Sequence, residues 1–232
     1  MNLINEFRDY AIKHMGVSSL QFHQWEQLQE RLYGASASLT PYILEEREMR
    51  VTQMDIFSRM MMNRIIWLAG PVNDSMSTVV QAQLMFLDNL ENKDITLHID
   101  SPGGSVKSGL SIVDVMDYIN SDIATINTGM AASMGSILLG AGTKGKRSSL
   151  RFSRVMLHQV SSGAEGNIQD MRRSVAETEK YNDLLFGLLG EYTNKDPQQV
   201  MKDADRDLWL NAEEAKAYGI IDNIIKTKKV KK

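Results

Sequence analysis

The chain has 232 residues, 43% of them apolar and 24% charged, with a net charge of −3. That suffices for one large folded domain with an appendage, and it argues against a general attraction to nucleic acid or to an anionic membrane surface. There is no cysteine, which excludes a disulfide scaffold, a thiolate nucleophile and a Cys-ligated metal.

Residues 1–33 read as helix, with Leu3, Phe7, Tyr10 and then Trp25, Leu28 and Leu32 at helical spacing. The first fifteen positions mix both charge signs and hold no apolar stretch, so they do not read as a secretory signal. Gly34-Ala35-Ser36-Ala37-Ser38 is a run of small residues suited to an exposed linker. It sets a boundary between residues 1–38, a packing arm or a removable leader, and the rest of the chain.

An α/β pattern follows. Residues 64–70 form a buried strand closed by Gly70-Pro71. Asp74 or Ser75 caps a helix running to about Leu90, with Val79, Ala82, Met85 and Phe86 as its apolar stripe. Residues 95–99 alternate as a strand should, and Ser101-Pro102-Gly103-Gly104 breaks the alternation. Next come a helix over 106–119, a strand over 123–128 ended by Gly129, a small-residue helix from about Ser133, and a strand over 155–160.

A long helix spans about 167–192. Asp196, Pro197 and Gln199 then read as N-cap, first helical residue and capping-box partner. Asn211 and Glu214 repeat that box for a last helix, ended by Gly219. Residues 220–225 form a final strand, and residues 226–232, with five lysines in seven positions, form a basic tail. Strands separated by helices imply parallel β-α-β units. The longest apolar runs, such as 65–69 and 137–142, are far too short to cross a bilayer.

Catalytic groups in such folds gather where strands give way to loops. Three places qualify. The two glycines of Ser101-Pro102-Gly103-Gly104 leave bare backbone that suits an oxyanion hole, although spacing alone favours a plain tight turn. Ser133, between a strand end and a helix start, has small neighbours; Ala131-x-Ser133-x-Gly135 is close to a nucleophile elbow, and close helix packing is the other reading. His158, near a strand end, is the best-placed base of the four histidines; His14 and His23 lie in the arm and His98 falls mid-strand. A third member would orient the imidazole. Asp100, Asp114, Asp170, Asp203, Asp205 and Asp207 all remain open for that role. No His or carboxylate spacing resembles a metal-ligand set, and there is no P-loop.

Seven segments together resemble the ClpP family of Clp protease proteolytic subunits. They are Asp55-Ile56-Phe57-Ser58-Arg59, Arg64-Ile65-Ile66-Trp67-Leu68, Ile99-Asp100-Ser101-Pro102-Gly103-Gly104, Gly129-Met130-Ala131-Ala132-Ser133-Met134-Gly135, Ser153-Arg154-Val155-Met156-Leu157-His158-Gln159, Asp203-Ala204-Asp205-Arg206-Asp207 and Ala212-Glu213-Glu214-Ala215-Lys216-Ala217-Tyr218-Gly219. The likeness covers residues 39–225. It departs from the family pattern at Asp100, where asparagine is common, at Met130, where glutamine is frequent, and at Val160, where proline is usual.

The resemblance implies an α/β ClpP/crotonase-like β-α-β spiral with a long protruding helix and a helical N-terminal extension. It implies a serine endopeptidase acting through an acyl-enzyme, with Ser133 as nucleophile, His158 as base and Asp207 as the third member. The backbone N–H groups of Gly104 and Met134 would form the oxyanion hole, and an extended substrate would pair beside Gly103 and Gly104. Two stacked seven-fold rings are implied, joined through the 167–192 helix, in the cytoplasm. So is an AAA+ unfoldase such as ClpX, which spends the ATP and delivers unfolded protein; this chain itself would need no cofactor or metal. Self-cleavage near 34–38 would remove a propeptide. A crotonase-like acyl-CoA enzyme and a non-catalytic ring subunit are the alternatives.

Overall fold

The computed structural model describes residues 42–47, 50–163 and 165–225. It divides after Ile56 into two compact units. The expected arm helix, the linker at 34–38 and the basic tail lie outside the described residues.

In the first unit, β1 (Tyr42–Arg47) and β2 (Arg50–Asp55) pair antiparallel, with Tyr42 opposite Asp55. The sequence pattern predicts no strands there. A short helix, α1 (Ile56–Met61), comes next.

In the second unit the chain alternates strand and helix. The elements are β3 (Ile65–Ala69), α2 (Asp74–Leu90), β4 (Ile95–Ser101), α3 (Val106–Tyr118), β5 (Ile123–Ala132), α4 (Met134–Gly140), β6 (Ser148–Leu150) and β7 (Arg154–Leu157). After these come α5 (Ile168–Thr193), α6 (Pro197–Asp203), β8 (Leu208–Leu210), α7 (Ala212–Tyr218) and β9 (Asn223–Ile225).

Strands β3, β4, β5, β6 and β9 lie side by side and parallel. Alternation explains β4: Ile95, Leu97, Ile99 and Ser101 are buried and the residues between them are not. Ile95, Leu97 and Ile99 join Ile66, Leu68, Val80, Leu84, Ile112 and Leu138 in the core. Strand β5 is long enough to serve two neighbours. Its middle pairs with β6 at Ile126 and Asn127, and its end pairs with β7 at Met130, Ala131 and Ala132. β8 adds to β7 antiparallel. The end of β5 therefore sits at a fork in the sheet, and the chain leaves it at Ser133.

Several local expectations change. Asn73, one residue before the expected caps, accepts the Met76 N–H and caps α2. The stripe that α2 buries is Ser77, Val80, Leu84 and Leu87, whereas Val79, Met85 and Phe86 are exposed. Both sets have helical spacing, and only packing on the sheet chooses between them. β5 runs through Gly129, and β7 ends at Leu157, leaving His158 just past the strand. Gln199 donates to Asp203 rather than closing a capping box, while the box at Asn211 and Glu214 is complete.

Helix α5 has two characters. No described residue from 168 to 184 is buried, and Ile168 and Val175 stand 64% and 50% exposed. Its last turns seat Leu185, Phe186 and Leu189 in the core. Arg147, whose side chain is 5% exposed, fixes that end to the sheet. It donates to Asp222 Oδ1 at 2.7 Å, to the Tyr192 carbonyl at 2.8 Å and to the Gly219 carbonyl at 3.1 Å. Burial alone would raise the Asp222 carboxyl, but bonds from the Arg147 side chain and backbone together hold it below the usual carboxylate range.

Candidate active site

Ser133 joins β5 to α4 with φ 53° and ψ −124°. A non-glycine residue rarely adopts that backbone, and sharp strand-to-helix turns use it to push a side chain outward. Neighbouring bonds hold it there. The Ser133 N–H donates to the Met156 carbonyl at 2.9 Å, and the Ser133 carbonyl accepts from the Ser136 N–H at 2.9 Å and the Ser136 hydroxyl at 2.6 Å.

His158 follows β7, the strand paired with the end of β5, so its ring arrives beside the elbow. The His158 Nε2 and Ser133 Oγ are 2.8 Å apart, a full hydrogen bond. On the ring's other side, His158 Nδ1 lies 3.5 Å from Asp207 Oδ1. That is longer than an N–H···O hydrogen bond, so the two groups face each other without a hydrogen bond in this geometry. Its side chain is 60% exposed. The segment before it is tied down by two further bonds: Gln159 Nε2 donates to Asp205 Oδ1 at 3.3 Å and the Tyr218 hydroxyl donates to Asp203 Oδ2 at 2.9 Å. Of the six aspartates left open by sequence, Asp207 is the one with an ion-pair contact to the ring.

The glycine turn closes on the elbow from the other side. Gly103 has φ 92°, and a Cβ there would meet the Ser133 Cβ at 2.6 Å and the Ala132 carbonyl at 2.8 Å. Only glycine permits that contact. Gly104, with φ 148°, forms a parallel bridge to Val72. Both bonds of the bridge run through its neighbours, from the Val72 N–H to the Gly103 carbonyl and from the Ser105 N–H to the Val72 carbonyl. The Gly104 N–H stays outside it. Met134 is the first residue of α4, so its N–H has no acceptor within the helix. Two backbone donors thus flank the serine, at the positive end of a helix.

A pocket opens beside these groups, lined by Gly104, Ser133 and His158 together with Asn182, Leu185 and Phe186 of α5. Such a set can pass a hydroxyl proton to an imidazole, hold a developing oxyanion and seat an adjoining side chain.

A family profile for the Clp protease matches residues 46–228. The chain belongs to the Clp protease family. It is 46% identical over 223 residues to the ATP-dependent Clp protease proteolytic subunits of Bacteroides fragilis and Bacteroides thetaiotaomicron, covering 96% of this chain and 99% of each relative. The corresponding protein of Porphyromonas gingivalis is 45% identical over 223 residues, with 96% and 98% covered. Membership of the Clp protease family removes the acyl-CoA alternative.

For a Clp protease, several residues at this site are not legible from sequence. Val72 braces Gly104 through backbone alone and carries no sequence signal. Leu185, Phe186 and Leu189 are detectable as an apolar cluster at helical spacing, but nothing in the sequence aims them at Ser133. Asn182 accepts the Val160 N–H at 3.1 Å and so ties α5 to the loop after His158. Among the described residues no cluster of His, Cys, Asp or Glu could hold a metal ion, and no helix is long and apolar enough to cross a membrane.

Proposed function

We propose that this chain is the proteolytic subunit of an ATP-dependent Clp protease, a serine endopeptidase that cleaves unfolded chains through an acyl-enzyme. The 2.8 Å contact between Ser133 Oγ and His158 Nε2 carries the reading. His158 takes the Ser133 proton as the oxygen attacks the scissile carbonyl. The oxyanion accepts from the Gly104 and Met134 N–H groups, and Asp207 stabilises the imidazolium. His158 then protonates the leaving amine, and water repeats the sequence to release the acyl group.

The substrate lies extended beside Gly103 and Gly104 and pairs by backbone, which gives broad specificity. The exposed first half of α5 supports its use in joining two seven-subunit rings around the sites. An AAA+ unfoldase of the ClpX kind binds the assembly, spends the ATP and feeds in substrate. The reading includes a cytoplasmic location and a peptidase that needs no cofactor of its own.

Ser133→Ala tests the assignment. It is expected to abolish cleavage of a small fluorogenic peptide with the fold intact by circular dichroism. A fluorophosphonate probe should label the wild-type chain at Ser133, as mapped by mass spectrometry. Cleavage by the variant near the wild-type rate, or labelling at another serine, would overturn it.

A further inference from the structure

Strand β5 carries more residues than β4 where the two approach the site. The pairing of Ile99 with Asn127 gives way to that of Ser101 with Ala131. One residue of β4, Asp100, therefore faces Thr128, Gly129 and Met130. A bulge of this kind strips backbone groups of their ladder partners and re-aims the strand beyond it. Side chains take those groups over. The Thr128 hydroxyl donates to the Ile99 carbonyl at 3.2 Å, the Gly129 N–H donates to Asn127 Oδ1 at 3.3 Å, and the Met130 N–H donates to Asp100 Oδ1 at 2.9 Å. The Asp100 carboxyl fills the space a side chain on Gly129 would need: a Cβ there would lie 2.5 Å from Oδ1.

The bulge stands at the root of both halves of the site. Gly103 lies three residues beyond Asp100 on one strand, and Ser133 lies three beyond Met130 on the next. The distance from the Gly104 N–H to the nucleophile depends on how these strand ends are held together. We infer that Asp100 is a positioning residue for peptide hydrolysis: its carboxylate oxygen accepts the Met130 N–H and locks the end of β4 to the end of β5, which sets the spacing between the Gly103-Gly104 turn and Ser133. Its partner is a neutral amide, so the role requires an acceptor rather than a charge. The inference rests on Ser133 as nucleophile.

The test uses the full-length assembled protein, a small fluorogenic peptide, and kcat and KM measured separately. Asp100→Ala is expected to lower kcat roughly three- to tenfold, the scale of one lost hydrogen bond, with KM within about twofold. Asp100→Asn keeps an acceptor oxygen and should retain kcat within about twofold, with an unchanged pH profile. Gly129→Ala should act like Asp100→Ala, because its methyl displaces the carboxyl. The double variant should be no slower than Asp100→Ala alone, since the space is then vacant. A wild-type kcat for Asp100→Ala, an Asp100→Asn as slow as Asp100→Ala, or additive losses in the double variant would each overturn the inference. If Asp100→Ala does not fold, the rates of Asp100→Asn and Gly129→Ala decide by the same criteria. Ser133→Ala in the same series separates the two readings: an inactive Ser133→Ala beside a fully active Asp100→Ala defeats this inference alone.

Discussion

Ser133 pays for its exposure with a backbone conformation that costs a non-glycine residue roughly 1–3 kcal/mol. The surroundings over-determine it, through its own N–H bonded to Met156 and its carbonyl bonded twice to Ser136. Gly103 closes the same knot by direct contact. Gly103→Ala would force a methyl against the Ser133 Cβ at 2.6 Å while the backbone sits at φ 92°. The turn must retreat, and the Gly104 N–H, one of the two proposed oxyanion donors, retreats with it. The expected result is a fall in kcat/KM for a small peptide of about 100-fold or more, the scale of a lost oxyanion donor. Peptide kinetics on the variant measure this, and a loss under about threefold would mean that the turn does not set the site.

Among the elements, the ends of α5, α7 and β6 meet at Arg147. Its guanidinium is satisfied by Asp222 and by the Tyr192 and Gly219 carbonyls. Removing the acid leaves a cation buried and unpaired, so Asp222→Ala should destabilise the fold by about 3–5 kcal/mol. The folded carboxyl is depressed below its unfolded value. Its contribution is therefore complete above the ordinary carboxylate range and is lost as pH falls through the folded value. Urea denaturation should show the full difference between wild type and Asp222→Ala at neutral pH and a narrowing gap in acid. A gap that stays constant with pH would contradict the assignment.

At the scale of the whole molecule, α5 spans two environments: the core at Leu185, Phe186 and Leu189, and a stretch from Ile168 to Leu184 in which no residue is buried. Apolar side chains left exposed on a long helix suit a partner surface. If the assembly is the proposed pair of rings joined through α5, replacing both Ile168 and Val175 with aspartate should halve the sedimenting mass, with the thermal midpoint of the subunit little changed. Analytical ultracentrifugation reads this directly, and an unchanged mass would remove α5 from the ring contact.

The sequence alone determined the alternation of strand and helix from β3 onward, because the signals are local: alternation at 95–99, the capping box at Asn211 and Glu214, the glycine at 219; the strands at 42–47, 50–55, 148–150 and 208–210 carried no such signal. It also singled out Ser133, His158 and the glycine turn as places where strands end. Their convergence was not legible, since residues 104, 133, 158 and 207 meet only once β5 has forked between β6 and β7. The choice of Asp207 among six aspartates came from resemblance, and its approach to His158 is a tertiary fact. The same holds for the buried stripe of α2, where Val80, Leu84 and Leu87 match helical spacing no better than Val79, Met85 and Phe86. Periodicity reports that a helix has an apolar face, but only packing against a sheet decides which face is buried.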